Sequence, residues 1–560
     1  MRALLEVFGD VYLLCAMLLL IPRSARRRVK LVLFALFFAV GLVDMACYVI
    51  MGSALVPNIV QTWLQTNTQE ASEALRVFVT PKLLLSPVAL FLILPFLCKQ
   101  SILKKRLALW GMRREVKRDG FPFGMLRGAS GRKIRQYAGT ALVVLTLISL
   151  GYGLINKVYL YKVFSQTSAD DAKEFVEVES MTREYLPIYR LALSVKEISR
   201  FSHQRACLLN NVKHTTVKAC RFESPIIVLI IGESYNRHHA SLYGYGLPTT
   251  PIQQRLYDEG QLFRFDDVVT SYNLTFKSFQ NMLTLYDYDA RGHWYDYPVV
   301  PSLFRKAGYK VGFFSNQNTL DKKSAFTDYS EDVFMNNTEL SKFMFDVRNT
   351  ESHRYDMSLT NDYLSMMGVR GRDSAQLVIF HFIGIHADYR FRYPEGDGVF
   401  SAADYHRPDL TDEELGILSD YDNAIRYNDK VIGAIVDLFA DKDAVIIHLA
   451  DHGELVYDDG HEMGRNFTLQ RKNIIPQFDI PFWIYCSDAY KAHHPTICRQ
   501  IAGAVGRPFM TDDLPHLLLY LAGIECDGYQ PERNLIDDRF NMKRKRLIMG
   551  DTDYDSIMDN

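Results

Sequence analysis

The sequence has no excess of charge of either sign: 64 lysines and arginines stand against 65 aspartates and glutamates, a formal net charge of −1 over 560 residues. Such a balance offers a nucleic-acid backbone little to bind and argues against that class of partner. No glycine-rich loop of the kind that cradles nucleotide phosphates is present, no internal repeat recurs, and no low-complexity tract interrupts the chain. Cysteines number only eight. Cys15, Cys47 and Cys98 fall in or beside apolar stretches, where they serve as small apolar side chains. Cys207 and Cys220 flank a short polar loop and are expected to pair as a disulfide. Cys486, Cys498 and Cys526 are odd in number, so at least one thiol stays free.

The even balance conceals a regional asymmetry. Four apolar stretches occupy the first part of the chain, about Leu4 to Ile21, Val29 to Met51, Leu83 to Leu97 and Tyr137 to Ile155. The second has the length needed to span a bilayer, and the third is short. Glu6 and Asp10 interrupt the first and no small-residue cleavage site follows it, which favours a retained span over a cleaved signal peptide. Arg23, Arg26, Arg27, Arg28 and Lys30 separate the first two stretches, and a longer basic segment from Lys104 to Arg135 separates the last two. The positive-inside rule puts both loops in the cytoplasm and everything after the fourth stretch on the opposite side. Asp44, a carboxylate inside an apolar helix, is a functional candidate by position alone.

Beyond the membrane portion, apolar strands alternate with helix-like stretches, the pattern of a doubly wound α/β sheet. Pro225 to Ile231 is apolar almost throughout and ends in Gly232-Glu233-Ser234. Ala444 to Ala450 is a second such run and ends in Asp451-His452-Gly453-Glu454. Open α/β sheets place their sites at the carboxyl ends of strands. Carboxylates and an imidazole delivered there by two strands are a donor set suited to zinc.

Several ordered motifs join these two. They are Gly232 to Arg237 continuing through Ser241 to Tyr245 and Pro248 to Pro251, then Leu274 to Leu283, Ser315-Asn316-Gln317, His381 to His386 with Arg392-Tyr393-Pro394, and Tyr421 to Ile425. Together they resemble the sulfatase-like phosphoethanolamine transferases of the alkaline-phosphatase superfamily, enzymes of the bacterial envelope. The likeness covers the membrane portion and about Ser224 to Ile536. It implies an N-terminal α-helical transmembrane bundle followed by a sulfatase-like (alkaline-phosphatase-type) α/β catalytic domain with a central, mostly parallel sheet. It also implies an inner-membrane, multi-pass protein, with the catalytic domain in the periplasm. The family commonly carries five spans, against four here.

The resemblance assigns roles. Thr275 is the nucleophile, and Glu233, Asp451 and His452 hold a zinc ion with the Thr275 hydroxyl; a second zinc ion is allowed. His381, His386 and His461 contact the phosphoryl group, a second zinc or the leaving oxygen. Thr66 and Glu70, four residues apart in a loop on the catalytic side, are placed to recognise the ethanolamine head of the donor. The implied reaction takes phosphoethanolamine from phosphatidylethanolamine onto Thr275, releasing diacylglycerol, and then to a lipopolysaccharide core sugar, lipid A or a periplasmic glucan. Lowered envelope charge, and with it resistance to cationic peptides such as polymyxin, would follow. The protein is expected to act as a monomer.

The expected domains are residues 1–156, the membrane bundle; 157–223, bridging helices; 224–545, the catalytic domain; and 546–560, a mobile acidic tail. Two other functions compete. A phosphoglycerol transferase of the lipoteichoic-acid-synthase type would use the same threonine with a different head group, and Glu70 suits an amine better than glycerol. A catalytically inactive scaffold would have no chemical need for Glu233, Thr275, Asp451 and His452 together. A true sulfatase would need a Cys/Ser-x-Pro-x-Arg nucleophile segment, which Thr275-Phe276-Lys277-Ser278 is not.

Overall fold

The structure, a computed structural model, describes residues 2–51, scattered positions between 137 and 158, and residues 186–317, 334–367, 375–465 and 469–558. Thr66, Glu70 and the third apolar stretch lie outside the described residues. The chain forms two compact units, Met1–Ala169 with Glu174–Arg200, and Asp170–Lys173 with Phe201–Asn560.

In the first unit, helix α1 (Arg2–Leu20) and helix α2 (Arg23–Met51) are separated by Ile21 and Pro22. Arg26 closes the break by donating from Nη2 to the carbonyls of Leu19 (2.8 Å) and Ile21 (3.0 Å), a cation on the negative end of a helix. Within α2, the 27 residues Arg23–Val49 are long and apolar enough to cross a membrane, the one such helix among the described residues. Asp44 in α2 forms an ion pair with Arg190 of helix α3 (Pro187–His214). A carboxylate on an apolar helix is thus neutralised by a neighbouring helix, and Val40, Cys47, Ile188 and Leu191 pack around the pair. Helix α3 occupies much of the segment read from sequence as a bridge.

The second unit is built on a seven-stranded sheet. Its strands are β1 (Ile226–Gly232), β2 (Leu262–Phe265), β3 (Lys310–Ser315), β4 (Val347–Arg348), β5 (Gln376–His381), β6 (Ala444–Ala450) and β9 (Phe482–Cys486), in the order β2-β9-β6-β1-β5-β3-β4. From β6 to β4 every pairing is parallel, while β9 runs antiparallel to both β6 and β2. All residues of β5 and β6 are buried, and only Ile226 of β1 is not. Central parallel strands covered on both faces must be apolar at successive positions, which is why these runs lack polar alternation. The register matters more than the order. Gly232 pairs with Ala450 and Ile231 with His381, while His381 pairs with Ser315, so β1, β6, β5 and β3 all end along one line.

Two sequence expectations are corrected here. Residues 546–558 are not a mobile tail: strands β10 (Leu547–Ile548) and β11 (Thr552–Asp553) form a hairpin that leads into a helix, Tyr554–Met558. Ile548, Met549 and Tyr554 are buried with Val269, Tyr272, Phe478 and Met510. Arg546 forms ion pairs with Asp267 and Asp555. The acidic composition hid apolar residues that point inward between the aspartates. Cys207 and Cys220 are free thiols, not a disulfide. Cys207 lies on α3 beside His203, whereas Cys220 ends a short strand and donates to the carbonyl of Ala522 at 3.6 Å, so the two serve different elements.

Candidate active site

The parallel ends of β1 and β6 bring Glu233 and Asp451 together across adjacent strands, since each residue follows one of the paired positions Gly232 and Ala450. Immediately after Glu233 the chain turns through Ser234, a non-glycine residue at φ 53°. A left-handed conformation at such a residue costs about 1–3 kcal/mol and persists only where surroundings enforce it. Here they do: the Ser234 amide donates to Asp451 Oδ1 at 3.1 Å, its hydroxyl to Glu233 Oε1 at 2.7 Å, and the Tyr421 hydroxyl to its carbonyl at 2.8 Å. Tyr421 is fully buried on the inner face of a long helix, Asp412–Phe439, whose start is fixed by a Thr411/Glu414 capping box.

His452 is aimed by its own backbone. Its Nδ1 lies 2.8 Å from the carbonyl of Gly453, which makes Nδ1 the protonated nitrogen and leaves the Nε2 lone pair facing Glu233 Oε1 (3.5 Å) and Asp451 Oδ2 (3.4 Å). Burial pulls the imidazole down to about 4, so it is a neutral donor at physiological pH. Gly453 is required by space: a Cβ there would sit 2.0 Å from the carbonyl oxygen of Pro476.

Thr275 opens a helix, Thr275–Met282, and is half-buried, whereas Lys277 to Met282 are buried. Its hydroxyl donates to Glu233 Oε2 at 3.0 Å and lies 3.3 Å from His452 Nε2. The positive end of a helix favours negative charge on a group at its first residue. Thr270 steadies the segment from below, its hydroxyl donating to the carbonyl of Asp451 at 2.6 Å.

Glu233, Asp451 and His452 are fully buried, and their ligand atoms lie within 4.8 Å of one another. Asp451 Oδ2 has no hydrogen-bond donor among the described residues. Burial, and then repulsion by Glu233, push the Asp451 carboxyl well above the ordinary carboxylate range. Two buried carboxylates around a neutral imidazole, one with an orphaned oxygen, are out of balance without a cation. Two oxygens, one nitrogen and an adjacent open position match the donor set of a catalytic zinc.

The remaining expected residues are distributed unevenly. His386 is half-buried on the loop after β5, near enough that its charge favours ionised Glu233 and disfavours protonated His452. His381 is wholly buried, with Nδ1 2.9 Å from the Ser315 hydroxyl and its ring 4.6 Å from that of Phe279 on the Thr275 helix. It packs against that helix through Phe279. His461 is 63% exposed and bonded to Glu414 at 2.7 Å, not to the cluster. The reason is local: β7 (Leu455–Val456) and β8 (Met463–Gly464) form a hairpin, and His461 stands in its turn.

Three contributors escaped sequence reasoning. Gln317 donates from Nε2 to Glu233 Oε2 and to the carbonyl of Phe382, both at 2.8 Å. Asp356 is buried and accepts from the amides of Ile383 and Gly384 and from Asn316, fixing the loop that carries His386. Arg465 places Nη1 3.5 Å from His452 Nε2. Gln317 belonged to a recognised motif, but its role needed the sheet register; Asp356 and Arg465 carried no sequence signal.

Comparison with known proteins places the fold in a known family. Residues 225–524 match the family model for Sulfatase. The chain is 28% identical over 558 residues to phosphoethanolamine transferase EptC of Escherichia coli strain K12, covering 95% of this chain and 87% of that protein. The C-terminal periplasmic domain of E. coli EptC in complex with Zn aligns at 30% identity and a TM-score of 0.51, over 60% of this chain and 94% of that one. The integral membrane protein EptA of Neisseria meningitidis, a lipooligosaccharide phosphoethanolamine transferase, shares the fold at 16% identity and a TM-score of 0.51, over 93% of this chain and 88% of that one. The chain therefore belongs to the sulfatase family, and one of its near-full-length relatives is a phosphoethanolamine transferase.

Proposed function

We propose that the protein moves phosphoethanolamine from phosphatidylethanolamine, through Thr275, to a lipopolysaccharide core sugar, lipid A or a periplasmic glucan. One observation carries the reading: the Thr275 hydroxyl lies between Glu233 Oε2 and His452 Nε2 at 3.0 and 3.3 Å, at the mouth of an otherwise buried cluster. A zinc ion held by Glu233, Asp451 and His452 would supply Lewis-acid neutralisation of developing charge. The protein residues do the rest. Glu233 orients the Thr275 hydroxyl proton away from the mouth, leaving an oxygen lone pair for the phosphorus. As the Oγ1–P bond forms, the threonine proton passes to Glu233 Oε2, the bond from phosphorus to the diacylglycerol oxygen breaks, and that oxygen takes up a proton from solvent at the mouth. In the second half, an acceptor hydroxyl or phosphate oxygen attacks the same phosphorus, and Thr275 Oγ1 departs and regains a proton. The helix amino end behind Thr275 favours the anionic form in both halves.

The catalytic unit works in the periplasm on a membrane-anchored chain, with α2 as one of its spans. This placement is supported by the basic loops and by the E. coli relative, whose solved domain is described as periplasmic. Intact-mass analysis of the zinc-loaded, detergent-solubilised protein incubated with phosphatidylethanolamine tests the reading. A phosphoethanolamine adduct on the wild type, absent in Thr275→Ala, with diacylglycerol released, is the expected result. No adduct from phosphatidylethanolamine but one from phosphatidylglycerol would overturn the donor assignment.

A further inference from the structure

Register explains why Arg465 reaches the cluster. Strand β7 begins directly after Glu454, and β8 returns antiparallel with Gly464 opposite Leu455 and Met463 opposite Val456. The residue after Gly464 must therefore emerge beside Glu454, two positions from His452. Gly464 makes the exit possible at φ 88°, a conformation that disfavours side chains.

The position is unusual for a cation. Arg465 is half-buried, with Nη1 3.5 Å from His452 Nε2, and its charge is felt by Glu233, Glu454 and Tyr389. Its neighbours are His452, in direct contact, and the carboxylates of Glu233 and Glu454, which its charge favours in ionised form. Yet its short contact is with an imidazole nitrogen, not with a carboxylate. That contact uses the same lone pair that a metal ion on His452 would take. A metal ion on His452 would free the guanidinium from Nε2, next to Thr275, whose hydroxyl lies 3.3 Å from the same nitrogen. A guanidinium stays charged at any accessible pH and offers parallel N–H groups that match two oxygens of a phosphoryl group.

We propose that Arg465 grips the non-bridging oxygens of the phosphodiester attacked by Thr275, so that the ligand at this position is an anionic phosphoryl group. The assignment rests on the threonine-transfer reading and adds a catalytic residue to it. Arg465 thereby offsets the repulsion between that phosphoryl group and the buried carboxylates.

The test uses the full chain in detergent, as wild type, Arg465→Gln and Arg465→Lys. Zinc content, melting temperature, the rate of adduct formation on Thr275 and affinity for inorganic phosphate are measured for each. Expected are unchanged zinc content and melting temperature, adduct formation and phosphate affinity reduced about 10- to 100-fold in Arg465→Gln, and partial recovery in Arg465→Lys, the size expected for charge-assisted hydrogen bonds. Equal rates in wild type and Arg465→Gln, or loss of zinc from the folded Arg465→Gln protein, would overturn the proposal. If the wild type forms no adduct, the transfer reading fails by itself, and phosphate affinity still decides the role of Arg465: equal affinities reject it, a loss of about tenfold or more supports it.

Discussion

Nε2 of Gln317 lies 2.8 Å from Glu233 Oε2 and 2.8 Å from the carbonyl of Phe382, tying a buried carboxylate to the end of a neighbouring strand. Glu233 thereby keeps the orientation in which its other neighbours find it. Outer hydrogen bonds of this sort are worth about 10- to 100-fold in metal affinity. Gln317→Leu should weaken zinc binding by that amount in competition titrations with a chromophoric chelator, leaving the fold intact by circular dichroism. Unchanged affinity would show that Ser234 and Thr275 alone suffice to hold Glu233.

Gly453 permits no side chain. A Cβ placed 2.0 Å from the Pro476 carbonyl forces backbone apart at the residue following His452. Gly453→Ala should lower stability by about 1–3 kcal/mol, the usual range for overpacking, and should abolish adduct formation even where protein is recovered. Thermal melts and the mass assay read the two effects separately.

The buried His239 provides a pH signature away from the cluster. Its Nδ1 lies 2.7 Å from Asp422 Oδ1 and its Nε2 3.5 Å from Asp458 Oδ1. Burial opposes its charge, but Asp422 and Asp458 outweigh burial and hold the imidazolium up to about 10. A folded pKa above the unfolded value of about 6.5 means that the pair stabilises fully below pH 6.5 and loses its contribution as pH rises towards 10. His239→Asn should therefore cost about 3–5 kcal/mol at pH 6, the range for breaking a buried pair. The gap from wild type should narrow steadily by pH 10 in denaturant titrations. A gap independent of pH would mean that the imidazole is neutral in the folded protein.

Residues 546–558 should matter to catalysis more than to metal binding. The Met549 amide donates to the carbonyl of Ser271 at 2.9 Å, and the Tyr554 hydroxyl donates to Asp479, which also pairs with Arg237 at 2.7 Å. Ser271 lies four residues before Thr275. Ending the chain after Arg546 should leave zinc content near that of the wild type while the rate of adduct formation falls about tenfold or more, as expected for a misplaced nucleophile. Tyr554→Phe, which keeps the packing, should lose less.

The strand ends were legible because central parallel strands must be apolar at successive positions, and Pro225 to Ile231 and Ala444 to Ala450 announce themselves by composition. The residues immediately after them, Glu233 and Asp451-His452, then had few places to go. Thr275 was found through its motif and is placed by the fold within reach of both. Arg465 and His461 were not separable in this way. Both follow the Asp-His pair within a short stretch, and only the pairing of Leu455 with Gly464 decides that one returns and the other stays in the turn. Composition misled at residues 546–558, where Asp551, Asp553 and Asp555 are interspersed with the apolar side chains that matter. Asp44 gained a partner, Arg190, that no local pattern linked to it.

The position of residues 546–558 also bears on biosynthesis. Glu233, Thr275, Asp451 and His452 are all translated before the segment that forms the floor beneath Ser271 and Tyr272. Thr275 thus takes its final seat only after a segment far downstream of it in the chain has been made and has folded against Ser271 and Tyr272.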